Sequence, residues 1–293
     1  MESRYGVMES LEVTVLIDDY AGYDSGLLGQ HGVAFLLEAR IDRGQKTILF
    51  DTGQSAAPVL QNMKLLGKNP GSIDMVVLSH CHFDHTGGLA GILETTERSR
   101  IPVIAHPSIY RSNFTVKPSL RPVGMSPENS RETIRRNGGE LILTEEPLPL
   151  MPGAVTTGEI KERASFEKTP TLSLLTIENG KMVSDPMADD LSLVFILPQG
   201  LVIVTGCSHA GITGIIDTAV HLTGIDHVNA VIGGFHLIDA DENRISRTVD
   251  ALMDRNIDKI YTGHCTGLKA EAKMLQRLGE SFHKLHTGMK ITI

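Results

Sequence analysis

His80, Cys81, His82, Phe83, Asp84 and His85 set three imidazoles and one carboxylate within six consecutive residues, directly after the apolar stretch 75–79. A hydrophobic core has no use for such a run. Two histidines two apart project to the same side of an extended segment. Asp84 and His85 follow as the chain turns toward Gly87 and Gly88. One segment can therefore offer ligands to two adjacent metal ions. Imidazole with carboxylate suits Zn²⁺, and also Fe, Mn or Co.

Four ligands cannot fill two coordination spheres, so further donors must come from elsewhere. Three segments share one grammar, an apolar strand followed by a glycine-flanked histidine. Residues 201–205 lead into Gly206-Cys207-Ser208-His209, residues 228–232 into Gly233-Gly234-Phe235-His236, and residues 257–261 into Thr262-Gly263-His264-Cys265. Functional groups in α/β sheets cluster at strand C-termini, so all three could meet on one edge. His264 and His209 are the ligand candidates. His236 suits a substrate contact or proton donor as well as a ligand. His106 follows a strand but precedes proline, which leaves it as site wall or as a residue without a role. His221, His227, His283 and His286 lack flanking glycines and read as structural or exposed. The role of His31 is open, with substrate contact as its functional reading.

The elements that must hold these residues read as alternating strands and helices. Strands are expected at 11–17, 32–41, 46–50, 72–79 and 101–105, with helices at 56–66 and 89–97. The second half adds strands at 171–177, 191–197, 201–205, 227–232 and 257–261. Helices are expected at 212–222, 242–255 and 268–278, the second with Ile245, Val249, Leu252 and Met253 at helical spacing. This alternation predicts an α/β protein. No fixed-period repeat and no Pro/Gly/Ser-rich linker divides the chain, so 1–293 reads as a single domain.

Residues 107–140 differ. Pro118, Pro122 and Pro127 interrupt the pattern, and Arg111, Lys117, Arg121, Arg131, Arg135 and Arg136 face few acids. Ser126-Pro127 and Asn137-Gly138 mark the start and stop of a short helix. One reading is a lid that meets an anionic substrate, with Arg111 and Arg121 as contacts. The other is an ordinary solvated helix.

Composition narrows the classes. The chain has 293 residues, 41% hydrophobic and only 4% aromatic with no Trp, so its core rests on aliphatic side chains and Met. A formal charge of −8 disfavours non-specific nucleic-acid binding. No stretch approaches the length of a membrane span, and the N-terminus lacks an apolar signal core, which makes the cytoplasm the default compartment. Three cysteines at 81, 207 and 265, each near a histidine, argue against a disulfide framework. They read as small buried residues, or, for Cys207, as a thiolate ligand.

The run S-H-C-H-F-D-H-T-G-G-L at 79–89, with I-L-F-D-T-G at 48–53 and T-G-H at 262–264, resembles the signature of the metallo-β-lactamase superfamily. The resemblance implies a four-layer αββα sandwich with two divalent ions, zinc first and Mn, Fe or Mg as alternatives, along one edge of the sheets. It assigns His80 and His82 to the first ion and Asp84, His85 and His264 to the second, with Asp51 orienting the loop or a ligand. The chain departs from the pattern in the middle. No histidine precedes residues 201–207 where the superfamily usually has one, Asp189 and Asp190 stand there instead, and Cys207 aligns with the bridging residue. His209 is the expected replacement.

A narrower set, Q-H-G-V at 30–33, F-D-T-G-Q-S at 50–55, T-G-C-S-H-A-G at 205–211, G-G-F-H-L at 233–237 and T-G-H-C-T-G at 262–267, is similar to one branch of that superfamily. Its members are described as metal-dependent hydrolases, and some as synthases of methanopterin biosynthesis that join a dihydropterin-methyl group to a ribofuranosylaminobenzene phosphate with loss of pyrophosphate. The resemblance implies a small phosphorylated, pterin-type substrate, Asp84 and His236 in catalysis, and compatibility with a homo-oligomer. The alternatives are a phosphoester or phosphodiester hydrolase, a carbonyl hydrolase of lactamase or thioesterase type, and a redox or non-catalytic metal protein. Two adjacent divalent ions would serve any of the hydrolytic readings, because they acidify water and clamp the oxygens of a reacting centre.

Overall fold

The computed structural model describes residues 3–42, 44–167 and 174–293. Alternating side chains explain its layers. In Ala34–Ile41, Phe35, Leu37 and Ala39 point one way while Ala34 and Leu36 point the other, and both sets are buried. Leu193–Leu197 and Gly200–Val204 repeat the pattern, with Leu193, Phe195, Val202 and Val204 inward and Val194, Ile196, Leu201 and Ile203 outward. Strands apolar on both faces must be covered on both faces.

Two seven-stranded sheets result. In spatial order the first runs Lys290–Thr292, Ser10–Ile17, Ala34–Ile41, Gly44–Phe50, Met75–Val77, Ile101–Ala105 and Gly139–Leu143. The second runs Phe282–Lys284, Lys259–Gly263, Val228–Gly234, Gly200–Val204, Leu193–Leu197, Ala154–Thr156 and Pro149–Met151. Their inner faces share one hydrophobic layer that joins Leu11, Val13, Phe35 and Phe50 to Phe195, Val204 and Ile232. Helices Ala56–Leu65, Leu89–Thr95 and Arg131–Arg136 cover the first sheet, with Met63, Ile92 and Ile134 in the outer layer. Helices Ile212–Thr223, Glu242–Asp254 and Leu268–Leu278 cover the second through Ile216, Val249 and Met274. The architecture is the expected four-layer αββα sandwich. Each fully buried Leu, Ile or Phe contributes about 1.5–3 kcal/mol to holding the layers together.

The strands that carry the candidate ligands are the parallel ones. Gly44–Phe50, Met75–Val77 and Ile101–Ala105 run parallel in the first sheet, as do Gly200–Val204, Val228–Gly234 and Lys259–Gly263 in the second. Their C-terminal ends therefore lie along common edges, where turns need no ladder partners.

Three details differ from the sequence expectation. The basic segment 107–140 is not one lid. Its first half supplies Asn113–Thr115 and Arg121–Pro122 to a four-stranded sheet with Leu174–Glu178 and Lys181–Ser184. Its second half packs on the outer face of the first large sheet. The helix there starts after Ser130, whose side chain accepts from the Thr133 N–H, because the Ser126 hydroxyl is instead turned to Glu128. Met253 lies off the buried stripe of Glu242–Asp254 and is exposed. Residues 171–173 of the strand expected at 171–177, and Arg43 of the turn at 43–44, lie outside the described residues. No helix among the described residues is long and apolar enough to cross a membrane.

Candidate metal centre

The expected cluster is assembled by four strand ends. After Met75–Val77 the chain passes through Ser79 and a bend at His80, and His82 stands at the N-cap of the one-turn helix Phe83–Thr86. His209 follows Gly200–Val204, His236 follows Val228–Gly234, and His264 follows Lys259–Gly263. Several of these turns are held in a backbone region that L residues rarely adopt: φ is 58° at Asp51, 59° at Ser208, 45° at His236 and 48° at His264. Such strain persists where the surrounding structure fixes it, and it concentrates at functional sites. Glycine makes the close approach possible: a Cβ on Gly206 would run into the Ser79 side chain and lie 2.9 Å from Asp51 Oδ2.

Hydrogen bonds fix which ring nitrogen is free. The Ser79 hydroxyl donates to Asp51 Oδ2 at 2.7 Å, so its oxygen can accept from His80 Nδ1 at 2.8 Å. That leaves His80 Nε2 unprotonated, and it is buried without a partner among the described residues. Asp51 Oδ2 also takes His85 Nδ1 at 2.6 Å, and Asp19 Oδ1 takes His264 Nδ1 at 2.7 Å. The Nε2 atoms of His85 and His264 then face Asp84 Oδ2 at 3.4 and 3.3 Å, and His85 Nε2 also meets Cys207 Sγ at 3.1 Å. His209 Nε2 is likewise buried and unpartnered. The rings of His80, His82 and His209 are mutual neighbours, with centroids 4.6, 4.7 and 4.8 Å apart. Cys207 stands between the two groups. Its sulfur is within 4.8 Å of donors on His80 and His209, and within the same distance of donors on His85 and His264.

Electrostatics follow from burial. Burial keeps His80 and His209 neutral, each far below its ordinary titration range, and lowers His82 to about 4. Burial also opposes charge on His85, but Asp51 and Asp84 outweigh it and raise its pKa to about 9. Burial opposes charge on Asp84 as well, yet His85 and His264 hold its carboxyl well below the carboxylate range. The pocket thus offers neutral imidazoles on one side and a site that favours positive charge on the other. Unpartnered buried nitrogens, a buried carboxylate and a thiol in this arrangement are a donor set suited to divalent cations.

A cavity of about 270 Å³ opens onto the cluster, lined by His31, His82, Asp84, His209, His236 and His264 among others. His31 leans on Asp19 at 3.1 Å and Asp84 at 3.5 Å. Lys117 and Arg121, exposed on the small sheet and its turn, line it together with Phe83 and Val123. Arg111 does not. It is half-buried against Asp185 at 2.7 Å and Asp189 at 2.6 Å, and Asp189 accepts the Cys81 N–H at 2.7 Å. Its expected substrate contact is therefore replaced by a strut between the small sheet and the ligand loop. Asp190, in the place of the absent middle histidine, accepts the Ala210 N–H at 2.6 Å. His106 does not line the cavity; its Nδ1 meets the Ser108 hydroxyl. Asp19 and Asn113 were not anticipated. Asp19 had a signal, an acid just past the end of an apolar strand; Asn113 had none.

A family model described as the metallo-beta-lactamase superfamily matches residues 29–158. A protein of Methanocaldococcus jannaschii named 7,8-dihydropterin-6-methyl-4-(beta-D-ribofuranosyl)-aminobenzene-5'-phosphate synthase is 46% identical over 290 residues, covering 98% of each chain. A second protein of that organism, described as uncharacterised, is 30% identical over 90% of this chain and 94% of its own. Among solved structures, Tm1679, a metal-dependent hydrolase of the beta-lactamase superfamily, superposes with a TM-score of 0.78 at 26% identity, covering 96% of this chain and 98% of its own. The chain belongs to the metallo-β-lactamase superfamily, an enzyme superfamily that binds divalent metal ions.

Proposed function

We propose that the chain is a dinuclear enzyme that transfers a dihydropterin-methyl group from its diphosphate to a ribofuranosylaminobenzene 5′-phosphate. The C–O bond to the diphosphate breaks, a bond to the aryl amine or aryl carbon forms, and pyrophosphate leaves with the electron pair. The proton displaced from the nucleophile goes to a base or to water. The observation that carries this reading is a basic pair, Lys117 and Arg121, at the mouth of a pocket floored by histidines and Asp84. A substrate bearing phosphate at both the reacting and the remote end needs positive charge at both. The near full-length relationship to the named synthase supports the same choice.

His80, His82 and His209 would hold one ion, and Asp84, His85 and His264 the other, with Cys207 placed to reach both. Two divalent ions there would neutralise charge on the departing diphosphate oxygens. The chain's own residues do the rest. Asp51 and Asp19 orient His85 and His264. His236, beside His209 with ring centroids 4.1 Å apart, is placed to give a proton to a leaving group. Phe83, Val123 and Leu174 supply an apolar wall for a flat ring. We take residues 1–293 as one functional unit in which the small sheet serves as the lid.

A second reading, a metal-dependent phosphoester hydrolase, is favoured by the likeness to Tm1679. Purified protein supplied with zinc or manganese separates them. The first reading expects pyrophosphate release only when the pterin diphosphate and the aryl ribose phosphate are both present. Turnover of a generic phosphodiester alone would leave the hydrolase.

A further inference from the structure

The donors of the histidine pair do not exhaust the sulfur at this edge. Cys265 follows His264 in the turn His264–Thr266, and its side chain returns to the cluster. Its thiol donates to the Cys207 carbonyl at 3.5 Å. Gly234 makes room for it, since a Cβ there would lie 2.6 Å from Cys265 Sγ. A ring nitrogen of His236 completes the group: one donor atom each of Cys207, His236 and Cys265 lies within 4.8 Å of the other two. His236 Nδ1 is buried and has no hydrogen-bond partner among the described residues. All three residues line the substrate cavity, and they come from three successive parallel strand ends.

We propose that Cys207, His236 and Cys265 form a third donor set that takes a thiophilic divalent ion such as zinc, with its remaining coordination position open to the substrate cavity. Two thiolates and one imidazole are a softer set than the histidine–carboxylate groups beside it, so this set selects zinc or cadmium over magnesium or manganese. Binding releases the two thiol protons to solvent. Cys207 belongs to this set and to both halves of the histidine pair. One sulfur cannot hold three ions at bonding distance, so the sets are alternatives at Cys207. The first equivalent of a thiophilic ion goes to the sulfur-rich set, whereas hard ions load the histidine pair. Which ion is supplied therefore decides where the first one sits: an ion in the sulfur-rich set takes His236 as a ligand, whereas hard ions leave His236 free for the proton-donor role.

Cadmium reads this directly, because each thiolate–cadmium bond adds near-ultraviolet charge-transfer absorption. Metal-free full-length protein titrated with up to one equivalent of cadmium should show a band of two-thiolate intensity. Cys265→Ser should reduce the band by about half, and the double variant Cys207→Ser with Cys265→Ser should remove it, since Cys81 belongs to none of the donor sets. His80→Ala should leave it intact, which separates failure of this set from failure of the histidine pair. Wild-type band intensity retained in Cys265→Ser would overturn the proposal. X-ray absorption of wild-type protein with one equivalent of zinc needs no variant: two sulfur neighbours are expected, and one or none would equally overturn it.

Discussion

His82 Nε2 lies 3.1 Å from Asn113 Oδ1, and this pair joins the ligand loop to the small sheet at the pocket mouth. The Asn113 amide cannot be turned around, because its Nδ2 donates to Asp185 Oδ2 at 2.5 Å. Oδ1 must therefore accept, which puts the proton of His82 on Nε2 and leaves Nδ1 free for a cation. Arg111 holds Asp185 in place and reaches Asp189 behind Cys81. The same small sheet that carries Lys117 and Arg121 thus fixes the tautomer of a candidate ligand. Asn113→Ala should lower affinity for the ion at His80, His82 and His209 about ten- to hundredfold while the fold is kept. Competition with a chromophoric chelator measures it; unchanged affinity would show that the tautomer is set elsewhere.

Removing the ligand itself should act harder. His82 is 8% exposed and sits at the N-terminus of a one-turn helix, where its ring touches other histidines rather than the hydrophobic layers. His82→Ala should abolish metal-dependent turnover, a loss of about a thousandfold or more, with little change in melting temperature of the metal-free protein. Circular dichroism paired with the pyrophosphate-release assay tests both halves. Full activity in this variant would remove the site as described.

Lys117 and Arg121 are exposed on the small sheet, and neither is held in an ion pair among the described residues. Each is free to take a phosphate oxygen. A hydrogen bond to a charged group is worth about 1.5–3 kcal/mol. Lys117→Ala and Arg121→Ala should therefore each cut kcat/KM for the phosphorylated aryl partner by roughly ten- to hundredfold, mostly through KM. The unphosphorylated partner should show no such loss. If both partners lose equally, the pair serves the reacting diphosphate or the fold.

Much of this was legible before any coordinates. The run from His80 to His85 announces its chemistry because four donors in six residues have no packing use. His209, His236 and His264 were readable because each follows an apolar strand and a glycine, and parallel strands deliver such turns to one edge. The residues that orient them were not. Asn113 and Asp185 are 72 positions apart and meet only through the pairing of Asn113–Thr115 with Leu174–Glu178. Arg111 looked like Arg121 in sequence, a basic residue in a basic segment. Only the buried carboxylates of Asp185 and Asp189 separate a strut from a substrate contact. The likeness of the two large sheets, each half antiparallel and half parallel, left no repeat in the residues, because aliphatic alternation satisfies both with many sequences.

Asp190 gives a pH dependence whose sign can be worked out. Burial raises its pKa to about 7, against the ordinary carboxyl value of 3.8. Its Oδ2 accepts the Ala210 N–H, while Oδ1 is buried without a partner among the described residues. Between about pH 4 and 7 the folded protein holds this proton and the unfolded chain does not. The contribution of Asp190 is therefore most favourable in acid, and it is lost as pH rises through this window. His82, lowered to about 4, works in the opposite sense, since the unfolded chain takes up its proton first as pH falls below the ordinary histidine range. Comparison with Asp190→Asn isolates the carboxyl, because the amide oxygen can still accept from Ala210 and never ionises. In urea unfolding, the stability of metal-free Asp190→Asn relative to the wild type should rise steadily from pH 4 to pH 7 and level off above it, with a total change on the order of a few kcal/mol. A stability difference that does not change between pH 4 and pH 8 would mean that the carboxyl finds a proton donor or cation that the folded chain itself does not provide.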